Sequence, residues 1–201
     1  MTAPPDGSAG QGRAKRGGKQ PRKVSPDYLE RAALHYLERY ASSSANLRRV
    51  LLRKVDLSAR AHGTDPEEGR RWVDALIGRY RDSGLLDDKG YAEMKAAGLQ
   101  RRGGSTRSIR MKLSAKGVDA DLIDGAVAGL EGAEEGEADL AAAVAYARRR
   151  RLGPFRPGND RAARRDKDLA ALARAGFDFE TAKRVVDAAD EDEAGGGASI
   201  G

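Results

Sequence analysis

Two stretches of the chain decide its fold: LSAKGVDADLIDGAV at 113–127 and LARAGFDFETAKRVV at 172–186. In the first, Leu113 is followed by Gly117 and Val118, then by Leu122, Ile123, Ala126 and Val127. In the second, Leu172 is followed at the same offsets by Gly176 and Phe177, then by Thr181, Ala182, Val185 and Val186. The shift between the two is 59 residues. Glycine at this position suits a helix C-terminus, because it takes the left-handed conformation without penalty, and the apolar residue after it folds back onto the helix it ends. The later apolar positions fall on one face of a following helix. A weaker copy begins at Leu51, 62 residues before Leu113, with Val55 in the glycine position. There, about ten extra residues, roughly 57–66, precede the closing helix and predict an extended loop.

Outward from these stretches the helical period continues. Tyr28, Leu29, Ala32, Ala33, Tyr36, Leu37 and Tyr40 form one stripe, with Ser25 as N-cap and Pro26 in the first turn. Trp72, Val73, Leu76, Ile77 and Tyr80 form another, and Leu140, Val144 and Ala147 a third. Ser43 and Ser105 each stand four residues before a core leucine or isoleucine, Leu47 and Ile109, and read as N-caps. No alternating stretch reads as a strand. The expected fold is all-α: three tandem three-helix repeats of about sixty residues, stacked because each buries little alone, in an elongated, curved array. The boundaries read as a disordered basic tail at 1–24, repeats at 25–86, 87–132 and 133–190, and a disordered tail at 191–201.

Composition narrows the function. The chain has 201 residues and no Cys, which excludes disulfides, thiolate metal sites and cysteine nucleophiles. No apolar run approaches the roughly 20 residues of a membrane span, and no signal-peptide core is present, so a cytoplasmic location is expected. The net charge is +6. Residues 1–24 hold six basic residues (Arg13, Lys15, Arg16, Lys19, Arg22, Lys23) against Asp6 alone. Taking these from totals of 37 and 31 leaves 31 basic and 30 acidic residues in the body. Any anion-binding surface there must arise from local clustering.

Nothing assembles a catalytic site. The turn at Gly103, Gly104 and Ser105 lacks the lysine of a phosphate loop. Asp87 and Asp88 read as acids at a helix N-terminus, complementing its dipole, rather than as metal ligands. His35 and His62 have no partners at metal-binding spacing. No cofactor, no metal and no enzymatic activity are expected, and the chain should be a monomer. The basic clusters say more: Arg101 and Arg102; Arg107, Arg110 and Lys112; Arg148, Arg149, Arg150 and Arg151; and Arg161, Arg164 and Arg165. One or two arginines per cluster suit a helix C-terminus. Four in succession exceed what capping requires, and they predict a surface for phosphates or an acidic protein. The aromatics mostly sit in the helix stripes, so base stacking is not the expected mode of binding. Phe155, in RRRRLGPFRP, is the one exception, and it either stacks on a ligand there or staples its loop onto the third repeat.

Residues 83–123, SGLLDDKGYAEMKAAGLQRRGGSTRSIRMKLSAKGVDADLI, resemble the central region of RecX-family regulators of the RecA recombinase. The positions that carry the resemblance are Leu86, Asp87, Asp88, Tyr91, Ala92, Glu93, Arg102, Gly103, Ile109, Arg110, Leu113, Lys116 and Gly117. It extends over about 27–187, and Leu172, Gly176 and Phe177 repeat the pattern in the third unit. Where many of the family carry Arg-Ser-Arg, this chain has Ala97, Gly98 and Leu99. The resemblance implies a protein that binds RecA within its single-stranded DNA filament. Such a protein inhibits filament growth, ATP hydrolysis and strand exchange in homologous recombination, DNA repair and the SOS response. A general DNA-binding helical protein, acting by competition for single-stranded DNA, is the alternative.

Overall fold

The computed structural model describes residues 20–130, 136–158 and 160–195, and among them every regular element is a helix. Helices α1 (Pro26–Leu37), α2 (Ser44–His62) and α3 (Pro66–Asp82) enclose one core, built on the fully buried Leu29, Leu47, Leu51, Val55 and Val73. Ser25 caps α1 by accepting from Tyr28 N at 3.2 Å, and Pro26 takes the first position, where no amide donor is needed. Leu86, in the link to the next unit, closes the same core. Full burial of one such leucine or valine stabilises by about 1.5–3 kcal/mol, so these residues hold the three helices together despite few aromatics.

Helices α4 (Asp88–Gln100), α5 (Thr106–Ser114) and α6 (Ala120–Ala128) form the second core around Tyr91, Ala92, Ala96, Ile109 and Leu113. The alanines let α4 lie close against α5 and α6. Helices α7 (Glu137–Arg150), α8 (Arg161–Ala175) and α9 (Phe179–Asp187) form the third, around Leu172, Phe177, Val185 and Val186. A single 3₁₀ turn at Gly153–Phe155 follows α7 and buries Phe155 in this core, as a staple should. The glycine turns behave as their spacing predicts. Val118 N donates to Leu113 O and Phe177 N to Leu172 O, both at 3.2 Å, with Gly117 and Gly176 at φ 72° and 96°.

The same chemistry joins the first unit to the second and the second to the third. Ser43 Oγ accepts from Asn46 N, capping α2, and donates to Lys116 O at 2.6 Å, just past the end of α5. Ser105 Oγ caps α5 and donates to Ala175 O, at the end of α8, at 2.8 Å. Each serine thus ties the start of one unit's second helix to the end of the next unit's second helix. An acid from the next unit completes each junction. Asp88 accepts from Ser44 N at 2.7 Å, and Asp139 accepts from Thr106 N at 2.7 Å. A Cβ at Gly117 would lie 2.5 Å from Ala45 Cβ, and one at Gly176 2.6 Å from Ser105 Oγ. The repeated glycine therefore serves twice, as a left-handed helix end and as the floor of the junction.

Three sequence expectations need correction and a fourth an addition. The extra residues of the first unit are not a loop: α2 continues through them to His62 and ends on Gly63 at φ 65°. Among the described residues no unit docks on the end of this helix, so it has no junction to stop at, and Val55 packs against Gly69 instead. Asp87 caps α4 as expected, accepting from Gly90 N at 3.0 Å. Asp88 stands in the first turn of α4 as expected, but its carboxylate also accepts from Ser44 N and so serves α2 as well. The basic tail is placed from residue 20 onward. Val24 is buried and its amide donates to Ser58 Oγ at 3.0 Å; residues 1–19 lie outside the described part. The acidic end is not all tail either. Residues Glu191–Ala194 form α10, with Asp190 as N-cap and Ala194 fully buried, while residues 196–201 lie outside the described part.

Candidate functional site

Where the second and third units meet, the ends of α4, α7 and α8 and the start of α5 enclose an open groove of about 720 Å³. Gly103 makes the meeting possible. It sits at φ 72°, and a Cβ there would come within 2.6 Å of Tyr146 N and 2.9 Å of Ala142 O on α7. Backbone thus lies on backbone, and Arg149 Nη1 donates to Arg102 O across the contact. Tyr146 lies half-buried in the floor, edge-on to Phe177 at 6.0 Å, with the Arg149 guanidinium 5.6 Å from its ring centre.

Six cations line this groove: Arg102 from the end of α4, Arg107 and Lys112 from α5, Arg149 and Arg150 from α7, and Arg174 from α8. Among the described residues no carboxylate lines it. All six side chains are exposed, and among the described residues none of the six forms an ion pair. A concave surface with one sign of charge focuses its field on an incoming anion. The forks of Arg102, Arg107, Arg149, Arg150 and Arg174 suit phosphate or carboxylate oxygens in pairs.

Five of the remaining predicted cations have other employment, while Arg101 and Arg151 are exposed, form no ion pair among the described residues and lie outside the groove lining. Arg110 pairs with Asp124. Arg148 lies 3.5 Å from Glu191 and 5.1 Å from the Phe155 ring centre. Arg151 is the left-handed residue that ends α7, at φ 55°, where glycine is the usual choice. Arg161 donates to Val186 O at 2.8 Å and to Ala189 O at 3.0 Å, satisfying the end of α9. Arg164 pairs with Asp160 at 3.4 Å. Arg165 pairs with Asp187 at 2.6 Å, and this hydrogen bond foremost holds the Asp187 carboxyl below its ordinary range. Arg101 caps α4 and lies outside the groove lining. Five of the twelve predicted contact residues are therefore brought together, and Arg174 joins them without having been predicted. It stands alone in sequence two residues before Gly176, so no run marked it.

No helix among the described residues is long and apolar enough to cross a membrane. The family description "RecX, second three-helix domain" matches residues 87–127, which hold α4 to α6. The chain is 52% identical over 175 residues to a protein of Myxococcus xanthus named "Regulatory protein RecX", covering 86% of this chain and 91% of that one. A protein of the same name from Agrobacterium fabrum is 29% identical over 159 residues, 79% of this chain and 82% of its own. One from Halorhodospira halophila is 30% identical over 162 residues, 81% and 88% respectively. With the repeat, the junction chemistry and this similarity along most of its length, the chain belongs to the RecX family of regulatory proteins.

Proposed function

We propose that this protein binds RecA and its single-stranded DNA filament through the groove between the second and third units, and so inhibits filament growth, ATP hydrolysis and strand exchange. The observation that carries the reading is a set of six cations that, among the described residues, have no ion-pair partner and no carboxylate beside them, at a junction that fixes two successive units. A filament repeats its acidic and phosphate groups at regular intervals, and a chain of similar units engages several at once. Linked contacts then add through high effective concentration, so modest individual affinities give tight binding. The reaction belongs to RecA; this chain acts on it by occupancy.

The test is RecA ATP hydrolysis on single-stranded DNA with this protein titrated from substoichiometric ratios. The expected result is strong inhibition well below one molecule per RecA. Inhibition only when the protein covers most of the DNA would replace this reading with simple competition for DNA, and no inhibition would end it.

A further inference from the structure

The first unit carries a second groove, of about 460 Å³, lined by residues of α1 and α2, the chain after α1 and Arg22, and sharing no residue with the junction groove. Its lining differs in kind. Tyr28, Tyr36 and Tyr40 line it with four cations, Arg22, Arg31, Arg39 and Lys54, and again with no carboxylate among the described residues. None of these four cations forms an ion pair among the described residues. Glu30, on the same helix, faces Arg79 of α3 at 3.4 Å instead.

The rings are presented in a graded way. Tyr28 is half-buried beneath the Lys54 ammonium, 5.8 Å from the ring centre. Tyr36 is oriented by the Asn46 amide, which donates to its hydroxyl at 3.0 Å. Tyr40 leans on Tyr36, centres 5.2 Å apart and planes 44° apart, and is 57% exposed. Core packing accounts for Tyr28 and Tyr36, whose rings reach the first core, but not for Tyr40. Aromatic faces interleaved with unpaired cations match one ligand chemistry well: bases that stack, joined by phosphates that need cations. The chain's own N-terminal segment is a poor occupant, since residues 1–19 hold Arg13, Lys15, Arg16 and Lys19 and would meet like charge.

We propose that this groove is a separate binding site for unpaired nucleotides of single-stranded nucleic acid, with Tyr40 as the stacking platform and Arg31, Arg39 and Lys54 as phosphate partners. It does not depend on the junction groove or on RecA. It gives the chain a hold on a bare strand at one end while the junction groove lies between its second and third units.

The test uses the full chain without RecA, measuring fluorescence anisotropy of a labelled oligothymidylate of about twenty nucleotides, an abasic strand of equal length and a polyglutamate peptide. The expected result is preference for oligothymidylate over both, with Tyr40→Ala weakening it about tenfold and leaving the abasic strand unchanged. Tyr40→Phe should bind as the parent does, and Arg31→Glu with Arg39→Glu should weaken both strands. Because Tyr40 is exposed, its replacement leaves the fold intact. An unchanged affinity of Tyr40→Ala for oligothymidylate overturns the proposal, as does equal binding of the abasic strand or of polyglutamate. The absence of RecA keeps these outcomes apart from the inhibition assay above.

Discussion

Reversing three charges of the junction groove, with Arg102→Glu, Arg149→Glu and Arg174→Glu together, is expected to raise the concentration needed for half-inhibition of RecA by at least about a hundredfold. The three come from the turn after α4, from α7 and from α8, so the substitution removes charge from three walls of the groove at once. Each is exposed and has no carboxylate partner among the described residues. Arg149 also donates to Arg102 O across the junction, so the variant's circular dichroism and unfolding midpoint are compared with the parent's first. A phosphate-binding groove has a further signature. The dependence of affinity on salt should flatten by about two in log–log slope, roughly 0.7 for each phosphate left without its cation. The control is Arg110→Glu, Arg164→Glu and Arg165→Glu, which removes the same number of cations from ion pairs outside the groove. Similar losses of inhibition in both triple variants would mean that bulk charge, not the groove, governs binding.

Asp168→Ala is expected to destabilise the third unit by about 3 kcal/mol, the usual result of removing one partner of a buried pair. Asp168 is 2% exposed on α8. Its Oδ2 accepts from Gly153 N at 2.9 Å and its Oδ1 from Arg156 at 2.6 Å. These two bonds hold the 3₁₀ turn that seats Phe155 in the core. The variant leaves a buried amide without an acceptor and the guanidinium of Arg156, only 20% exposed, without its counter-charge. Thermal unfolding by circular dichroism should show a midpoint lower by roughly ten degrees. Asp168→Asn keeps the shape and one acceptor and should lose less. A shift below about two degrees for the alanine variant would show that the turn is held mainly by Phe155 and Leu152.

The repeat at 59 residues is legible because both glycines carry the same two duties, and selection of residue type by a left-handed turn leaves a trace in sequence. The first unit misleads for a related reason. Val55 looks like a degraded glycine with an insertion after it, yet it is an ordinary core residue of a longer helix, on whose end no other unit docks among the described residues. The destination of Asp88 is hidden because its partner, Ser44, lies in another unit. The arginines show the same limit. Runs of cations are plain in sequence, but whether each is free depends on carboxylates far along the chain. Arg110 finds Asp124, Arg165 finds Asp187 and Arg148 finds Glu191 only after folding. The acidic end from residue 191 reads as solvated, but Ala194 has a place in the third core and draws the segment into a helical turn.

The claim that the junction groove is the surface that meets the filament is tested most directly by photo-crosslinking from inside it. Met111 lines the groove and is 67% exposed, so a photoreactive p-benzoylphenylalanine in its place lies within reach of whatever binds there. Leu85, 50% exposed and outside the groove lining, takes the same group as a control. Irradiation on RecA filaments assembled on single-stranded DNA should give adducts with RecA or with the DNA from position 111 and few from position 85. Adducts from position 85 and none from 111, with inhibition intact in both, would contradict the assignment and move the interface elsewhere on the chain.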